Sequence, residues 1–226
     1  MLDFNGTISD DEPLLEEIYR ELFAGIGLEL SGERYHAEFA GLSDPAIIAG
    51  GIALAGRSSE PGLAARLRDE QTARYLERVR MSSPIRPAAA GFVRAAAAHA
   101  PLAIASGAAL ETIEAVLAET GLRPLFTAIV SSEDVTHGKP DPEGYLRALQ
   151  LLDDARAPDP PYTPESVWVV EDSTAGVLAA RAAGMCVVAL RTAAYDASLA
   201  PAELIADRLD ESLAARLFAP DGATIA

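Results

Sequence analysis

Short apolar runs that alternate with helical stretches are the sequence feature that most constrains the fold. The apolar runs are Leu102–Ala105, Ala128–Val130, Val167–Val170 and Cys186–Leu190, with a weaker fifth at Leu204–Ala206. Helical patterns fill the stretches between them, at 87–99, 108–120, 142–153 and 174–183. Buried runs that alternate with helices are typical of a parallel sheet covered on both faces. The sequence therefore predicts an α/β core from residue 83 onward.

Residues 11–82 have a different pattern, which predicts helices and no strand. The helical stretches are 12–25, Tyr35–Phe39, Asp44–Ala55 and Pro61–Arg80. We therefore predict a Rossmann-like parallel-sheet core made of residues 1–10 and 83–226, with a helical cap domain inserted at 11–82. The first strand of this core is short, because only Met1 and Leu2 precede Asp3 and a strand usually needs about 5 residues. We expect a stretch before Met1 to be missing from this sequence.

Charge and composition exclude several classes of partner. The net charge is -16, from 34 acidic and 18 basic residues, and such a surface repels nucleic acid and anionic lipid. We therefore expect no nucleic acid as a partner. We also expect no membrane as a partner, since no apolar run of about 18 residues and no signal-peptide pattern occurs. Cys186 is the only cysteine, which excludes a disulfide within the chain and predicts a cytoplasmic protein.

Four short polar motifs lie at or near the ends of the predicted strands. They are Asp3–Thr7 (DFNGT), Ser106-Gly107, Lys139 within a Gly-Lys-Pro loop, and Glu171-Asp172. The carboxyl ends of parallel strands meet at one edge of a sheet, where ligands bind, so we expect the four motifs to converge. Lys139 is the only lysine among the 18 basic residues, which suggests that a lysine at this position has a specific functional role.

The residue types in these motifs fit phosphoryl transfer. Asp3, Glu171 and Asp172 are hard oxygen ligands suited to Mg²⁺, and their mutual repulsion favours a bound cation. Lys139 and the Ser106 hydroxyl group, with the backbone N–H of Gly107, suit phosphoryl oxygens. Each motif alone is more often a helix cap, a turn or a solvated charge. Their joint occurrence favours a site with a carboxylate nucleophile.

With these four motifs, the chain resembles the haloacid dehalogenase superfamily, in the branch of phosphoglycolate phosphatase and beta-phosphoglucomutase. The family pattern is D-x-D-G-T, then Ser or Thr, then Lys in G-K-P, then E-D or D-D, and all four parts occur in order. The resemblance implies that Asp3 is the nucleophile that forms an aspartyl-phosphate and that Ser106 and Lys139 bind the phosphate. It also implies a Mg²⁺ site; its ligands would be Asp3, the backbone carbonyl of Asn5, Glu171 and Asp172.

Asn5 departs from the family pattern. It stands where the phosphatases place a second aspartate, which protonates the leaving group and then activates water. An amide can do neither, and general acid–base catalysis is worth about 10²–10⁴-fold in rate. We therefore expect a slow phosphatase, a substrate with a good leaving group, or a stable aspartyl-phosphate.

Three other functions are weighed against a phosphatase acting on a small phosphorylated metabolite. Asn5 also supports a second interpretation, in which the chain is a catalytically weak protein that binds a phosphorylated ligand or has a regulatory role. A sugar-phosphate mutase is disfavoured because Leu15 replaces the expected cap histidine and Asp44 the expected arginine. Dehalogenation is disfavoured by Glu171-Asp172.

Candidate substrate-binding residues beyond the phosphate motifs are Asp11, Ser43 and Asp44, with Asp10 and Gln71 as further positions to test. A monomer or weak dimer is expected.

Overall fold

The computed structural model describes residues 1–192, 196–197 and 200–219. Its first part is helical, and strands and helices alternate after that. The helices are α1 (Glu12–Ala24), α2 (Gly32–Glu38), α3 (Asp44–Leu54), α4 (Leu63–Met81), α5 (Pro87–Ala97), α6 (Leu110–Thr120), α7 (Glu143–Arg156), α8 (Thr174–Ala182) and α9 (Glu211–Leu217). The strands are β1 (Leu102–Ala105), β2 (Phe126–Val130), β3 (Trp168–Glu171), β4 (Cys186–Leu190) and β5 (Leu204–Ala206). The predicted α/β class is confirmed.

All of these strands pair in parallel, and Leu2 joins them into one layer. Strand β1 pairs with β2, and β3, β4 and β5 pair in that order. Leu2 bridges Ile104 of β1 on one side and Val170 of β3 on the other. Its N–H donates to the carbonyl of Ala103 at 2.9 Å, and the N–H of Asp3 donates to that of Val170 at 3.0 Å. The first three residues therefore lie at the centre of the sheet.

Helices cover both faces of the sheet, which explains why the strands read as continuous apolar runs. Val170 and Val188 belong to a core cluster that includes buried residues of α5, α6 and α9. Their neighbours Val169 and Val187 belong to a second cluster, which includes buried residues of α7 and α8. Successive strand residues thus point into different cores, as the pleat requires.

Helices α1–α4 pack beside the carboxyl edge of the sheet. Aromatic side chains connect α1 with α2: the ring of Tyr19 lies 5.8 Å from that of Phe23 in the same helix and 6.3 Å from that of Tyr35 in α2, between ring centroids. The N–H of Asp44 donates to the carbonyl of Gly107 at 3.1 Å and so ties α3 to the sheet edge. The prediction that residues 11–82 form a separate cap domain, with those boundaries, stays a prediction.

The elements differ from the sequence prediction mainly at their ends. Helix α2 starts three residues earlier than predicted, because the Ser31 side chain accepts a hydrogen bond from the N–H of Arg34 and caps it. Helix α9 was not predicted; Asp210 caps it by accepting from the N–H groups of Ser212 and Leu213. In the part of the chain that the structure describes, no helix has both the length and the apolar character needed to cross a membrane.

Candidate active site

The loop after Asp3 turns sharply and locks against the fourth motif. Gly6 has a φ of +75°, and a Cβ atom there would lie 2.1 Å from Oδ2 of Asp172, so only glycine fits. Thr7 donates from Oγ1 to Oδ1 of Asp172 at 3.3 Å. The first and fourth motifs, which lie 165 residues apart in sequence, are therefore in direct contact.

Lys139 lies between two carboxylates. Its Nζ lies 2.5 Å from Oδ1 of Asp3 and also donates to Oε1 of Glu171. The same Nζ lies 5.3 Å from the centroid of the Tyr145 ring. Burial alone lowers the pKa of Lys139, but the carboxylates of Asp3 and Glu171 outweigh burial and raise that pKa above its usual value. The ammonium group therefore stays charged.

Glu171 accepts more hydrogen bonds than any other carboxylate of this cluster. Oε1 accepts from Lys139 and from the Tyr145 hydroxyl group at 2.8 Å. Oε2 accepts from the N–H of Asp172 at 3.0 Å and from the N–H and hydroxyl group of Ser173 at 3.2 and 3.1 Å. A carboxylate has about four lone-pair sites, so these donors fill Glu171.

The carboxylates form a compact acidic cluster. One oxygen each from Asp3, Glu171 and Asp172 lies within 4.8 Å of the other two, and all three residues are buried. Burial raises the pKa of Asp3 to about 7, with Lys139 opposing the rise. Burial and then Glu171 and Asp3 raise the pKa of Asp172 well above its usual value. One lysine does not balance three carboxylates, and hard oxygens at this spacing fit a divalent cation.

The second motif lines the same pocket as Asp3 and packs against Ser43, the residue before α3. Ser106 donates its N–H to the carbonyl of Val130 at 2.9 Å, and its Oγ accepts from the N–H of Ala108 at 3.1 Å. A Cβ atom on Gly107 would lie 2.7 Å from Cα of Ser43, and one on Gly138 would lie 3.1 Å from Oγ of Ser43. Ser43 therefore packs between the loops that carry Ser106 and Lys139.

One pocket joins the sheet edge to the helical segment. Its sheet side includes five of the predicted catalytic and metal residues, which are Asp3, Asn5, Ser106, Lys139 and Asp172. Its helical side includes Glu12, Leu15, Tyr35, Leu42, Ser43 and Asp44. Of the predicted substrate-binding residues, the pocket thus brings Ser43, Asp44, Ser106, Gly107 and Lys139 together.

Asp11 lies behind this wall instead of in it. It is 1% exposed, and Oδ2 accepts from Nδ2 of Asn5 at 2.8 Å, from Oγ of Ser9 at 2.6 Å and from the Tyr75 hydroxyl group. Burial raises the pKa of Asp11 to about 6. Asp11 therefore contacts the side chain of Asn5 directly.

The two further test positions also lie away from the pocket wall. Asp10 forms an ion pair with Arg86 at the surface. Gln71 is 1% exposed within α4. Asp44, in contrast, lines the pocket and accepts from the Tyr19 hydroxyl group at 2.5 Å. Burial raises the pKa of Asp44 to about 6.

The structure adds residues that the sequence did not single out. Glu12 lines the pocket one residue after Asp11, and Tyr145 and Ser173 support Glu171. Glu143 accepts from the N–H groups of Thr136 and His137 at 2.9 and 2.8 Å and so holds the loop before Lys139. Nearness to the motifs was the only available signal for Tyr145 and Ser173. Nothing in the pattern distinguished Glu12 from its acidic neighbours.

Comparison with known proteins identifies the family. Residues 1–184 match the haloacid dehalogenase-like hydrolase family. The chain belongs to the haloacid dehalogenase-like hydrolases, which confirms the predicted family and the prediction of a phosphoric monoester hydrolase.

Relatives differ in how much of their length they share with this chain. Fructose-1-phosphate phosphatase YqaB of Escherichia coli is 30% identical over 191 residues, which is 84% of this chain and 95% of that protein. A chloroplastic 5-amino-6-(5-phospho-D-ribitylamino)uracil phosphatase of Arabidopsis thaliana is 39% identical over 111 residues, but these are only 49% of this chain and 28% of that protein. Among solved structures, a mutant of CbbY from Rhodobacter sphaeroides in complex with xylulose-(1,5)bisphosphate matches with a TM-score of 0.79 and 25% identity, over 92% of each chain.

Proposed function

We propose that this protein is a Mg²⁺-dependent phosphatase that hydrolyses a small phosphorylated metabolite through an aspartyl-phosphate on Asp3. One observation carries the proposal: Lys139 contacts both Asp3 and Glu171 in a buried cluster that also contains Asp172. The phosphatase names of the relatives support the same reaction class.

The residues of the cluster divide the work between them. Asp3, Asp172 and the backbone carbonyl of Asn5 would hold the cation directly. Glu171 would act mainly by fixing Lys139 and the turn after β3, because protein donors already fill its lone pairs. When bound, Mg²⁺ supplies positive charge that balances the carboxylates and the phosphoryl oxygens.

In the first step, a carboxylate oxygen of Asp3 attacks phosphorus, and the bond between phosphorus and the ester oxygen breaks. Lys139, the Ser106 hydroxyl group and the N–H of Gly107 hold the phosphoryl oxygens as their charge changes. The leaving oxygen takes its proton from solvent, because the amide of Asn5 has no acidic proton to give.

In the second step, water attacks the phosphorus of the aspartyl-phosphate and the bond between phosphorus and the Asp3 oxygen breaks. Inorganic phosphate leaves with the protons of the water, and the carboxylate of Asp3 is restored. Asn5 cannot remove a proton from this water. Both steps therefore lack general acid–base assistance, which costs about 10²–10⁴-fold in rate. The proposed enzyme is slow or acts on esters with a good leaving group.

The alternative function is a catalytically weak protein that binds a phosphorylated ligand. The hydrogen bond from Asn5 to Asp11 favours it, because that bond commits the side chain to a role other than proton transfer. A sugar-phosphate mutase has less support, because Leu15 and Asp44 line the pocket and neither can hold a second phosphate. A cytoplasmic location, a monomer or weak dimer, and a cap domain at 11–82 complete the proposal.

Release of p-nitrophenol from p-nitrophenyl phosphate, with Mg²⁺ or with EDTA, tests the proposal. We expect Mg²⁺-dependent turnover that Asp3→Asn abolishes and that Asn5→Asp increases, by up to about 10²–10⁴-fold. Asp10→Asn is the matched control, since Asp10 is a surface residue seven positions along the same chain segment. Turnover only in Asn5→Asp would favour the binding protein, and unchanged turnover in folded Asp3→Asn would refute the nucleophile.

A further inference from the structure

The helical side of the pocket has an unusual charge balance for a site that takes phosphate esters. Of the described residues that line the pocket, Lys139 is the only lysine or arginine, and Asp3 and Glu171 already pair with it. His137 also lines the pocket, but its side chain is 70% exposed and lies 3.4 Å from Oε2 of Glu143. The wall away from the phosphate motifs thus offers no free strong cation among these residues.

Two acidic side chains stand on that wall instead. Glu12, at the start of α1, and Asp44, at the start of α3, both line the pocket. Asp44 is 8% exposed, and one of its oxygens accepts from Tyr19. A second phosphate or a carboxylate on the substrate would meet these two groups with nothing to neutralise it, and such like-charge contact opposes binding.

Glu12 also has an unused hydrogen-bonding position. The Tyr35 side chain interacts with the Glu12 carboxylate, but Oε1 of Glu12 is buried and has no hydrogen-bond partner among the described residues. Leaving a buried acceptor without a donor is costly, and a ligand that brings an O–H or N–H group to this oxygen would remove that cost. Leu15, Leu42 and Ile47, from the same helical segment, also line the pocket and offer apolar contact to a carbon skeleton.

We propose that the pocket selects a phosphate monoester whose alcohol portion carries hydrogen-bond donors and no second anionic group, with Glu12 as the acceptor that recognises a donor. The donor is a hydroxyl or an ammonium group. This inference rests on the proposed phosphatase function and specifies its substrate class. It separates this chain from the structurally similar CbbY, whose crystal structure contains a bisphosphate.

A matched set of sugar phosphates tests the proposal by the phosphate released from each in the presence of Mg²⁺. Glucose 6-phosphate presents hydroxyl groups, glucosamine 6-phosphate adds an ammonium group, and 6-phosphogluconate adds a carboxylate. We expect kcat/KM for 6-phosphogluconate to be about tenfold or more below that for glucose 6-phosphate. A similar gap is expected between fructose 1,6-bisphosphate and fructose 1-phosphate. The ratio of kcat/KM for glucosamine 6-phosphate to that for glucose 6-phosphate then distinguishes recognition of an ammonium group from recognition of a hydroxyl group.

Two variants assign the selectivity to one side chain. Glu12→Gln should lower the glucose 6-phosphate to 6-phosphogluconate ratio of kcat/KM about fivefold or more, because it removes the charge but keeps the size. A merely structural defect would lower both rates alike and leave the ratio unchanged. Glu17→Gln is the control on the same helix, because Glu17 is exposed and pairs with Arg78; its ratio should equal that of the wild type.

The outcome is readable whether or not these sugars are good substrates. If they are poor, their inhibition constants against p-nitrophenyl phosphate replace kcat/KM. Equal handling of 6-phosphogluconate and glucose 6-phosphate, or an unchanged ratio in Glu12→Gln, would overturn the proposal. Turnover of p-nitrophenyl phosphate that Asp3→Asn abolishes would show that the phosphatase function stands even if this selectivity fails.

Discussion

Nδ2 of Asn5 donates a hydrogen bond to Oδ2 of Asp11 at 2.8 Å. An ionised carboxylate only accepts hydrogen bonds, so this contact fixes the orientation of the amide. Oδ1 is then the atom that Asn5 can offer to a ligand or to water. Asn5, which stands where the family pattern leads us to expect a second aspartate, is therefore held by the carboxylate of Asp11.

This contact predicts a pH-dependent cost for Asn5→Asp. The introduced carboxylate would face that of Asp11, and two carboxylates at hydrogen-bond distance share a proton, which raises the pKa of the pair. The folded variant then binds more protons than its unfolded chain, so its stability falls as pH rises above about 4. We expect the free energy of unfolding of Asn5→Asp to lie about 1–3 kcal/mol below that of the wild type near pH 8, with a smaller difference near pH 5.

Urea unfolding of the wild type, Asn5→Asp and the double variant Asn5→Asp/Asp11→Asn at the two pH values measures this effect. The double variant restores one amide and one carboxylate to the pair and should regain most of the stability near pH 8. An equal loss at both pH values would contradict the shared proton.

Mg²⁺ and pH should have linked effects on stability. The pKa is raised to about 7 for Asp3 and to about 6 for Asp11 and Asp44, in each case chiefly by burial. Without metal, the folded state therefore holds protons that the unfolded chain releases, and stability falls as pH rises from about 4 to about 7. Mg²⁺ should raise Tm more near pH 8 than near pH 5, because protons compete for the same oxygens.

Calorimetric scans in EDTA and in Mg²⁺ at several pH values check this link, with Asp172→Asn as a comparison that removes one proposed ligand. The Mg²⁺-induced rise in Tm should shrink in that variant. A rise that is independent of pH would place the cation outside the acidic cluster.

Gly107→Ala should disturb the packing of α3 on the sheet edge. The added Cβ atom would lie 2.7 Å from the backbone Cα of Ser43, which cannot turn aside. We expect a loss of about 1–3 kcal/mol in stability from overpacking and a fall of about tenfold or more in kcat/KM from the displaced Ser106 loop.

Two alanine variants bracket this prediction. Gly144→Ala is the control, because its Cβ atom would meet only Cγ1 of Val135, at 3.8 Å. Gly138→Ala should have an intermediate effect, since the nearest atom is the rotatable Oγ of Ser43 at 3.1 Å. An inverted order of the three variants would contradict the packing argument.

Tyr145→Phe should weaken the cation site without changing its charge. The variant removes the hydroxyl group that donates to Oε1 of Glu171 at 2.8 Å but keeps the ring beside Lys139. Loss of such an outer hydrogen bond commonly lowers metal affinity or activity by about 10–100-fold. The Mg²⁺ concentration for half-maximal rate should rise by about tenfold, whereas Tyr162→Phe, where the ring stacks on Arg156, should match the wild type.

The sequence predicted the sheet and the convergence of the motifs because both depend on local patterns. A strand buried on both faces must be apolar, so its position is visible in the residues, and a parallel sheet brings the strand ends together. That is why Asp3, Lys139 and Asp172, far apart in the chain, were expected in one place. The described structure does bring them together.

The sequence could not predict which way individual side chains point. Asp11 and Glu12 are adjacent acids, but the turn into α1 directs Asp11 toward Asn5 and Glu12 toward the pocket. Helix α9 was missed because its seven residues give too short a pattern, and its stability depends on the cap at Asp210. These features depend on three-dimensional geometry that residue spacing does not encode.

Leu2 bridges β1 on one side and β3 on the other, and its neighbours Met1 and Asp3 form backbone hydrogen bonds with β3. The next residue along the chain is Asp3, the proposed nucleophile. Separation of the two halves along this seam would therefore break the backbone hydrogen bonds that position Asp3 beside Lys139. The residue that joins the sheet and the residue that attacks the substrate are neighbours in the chain. We therefore expect the fold and the catalytic activity to be lost at the same temperature on heating, with no folded but inactive state between them.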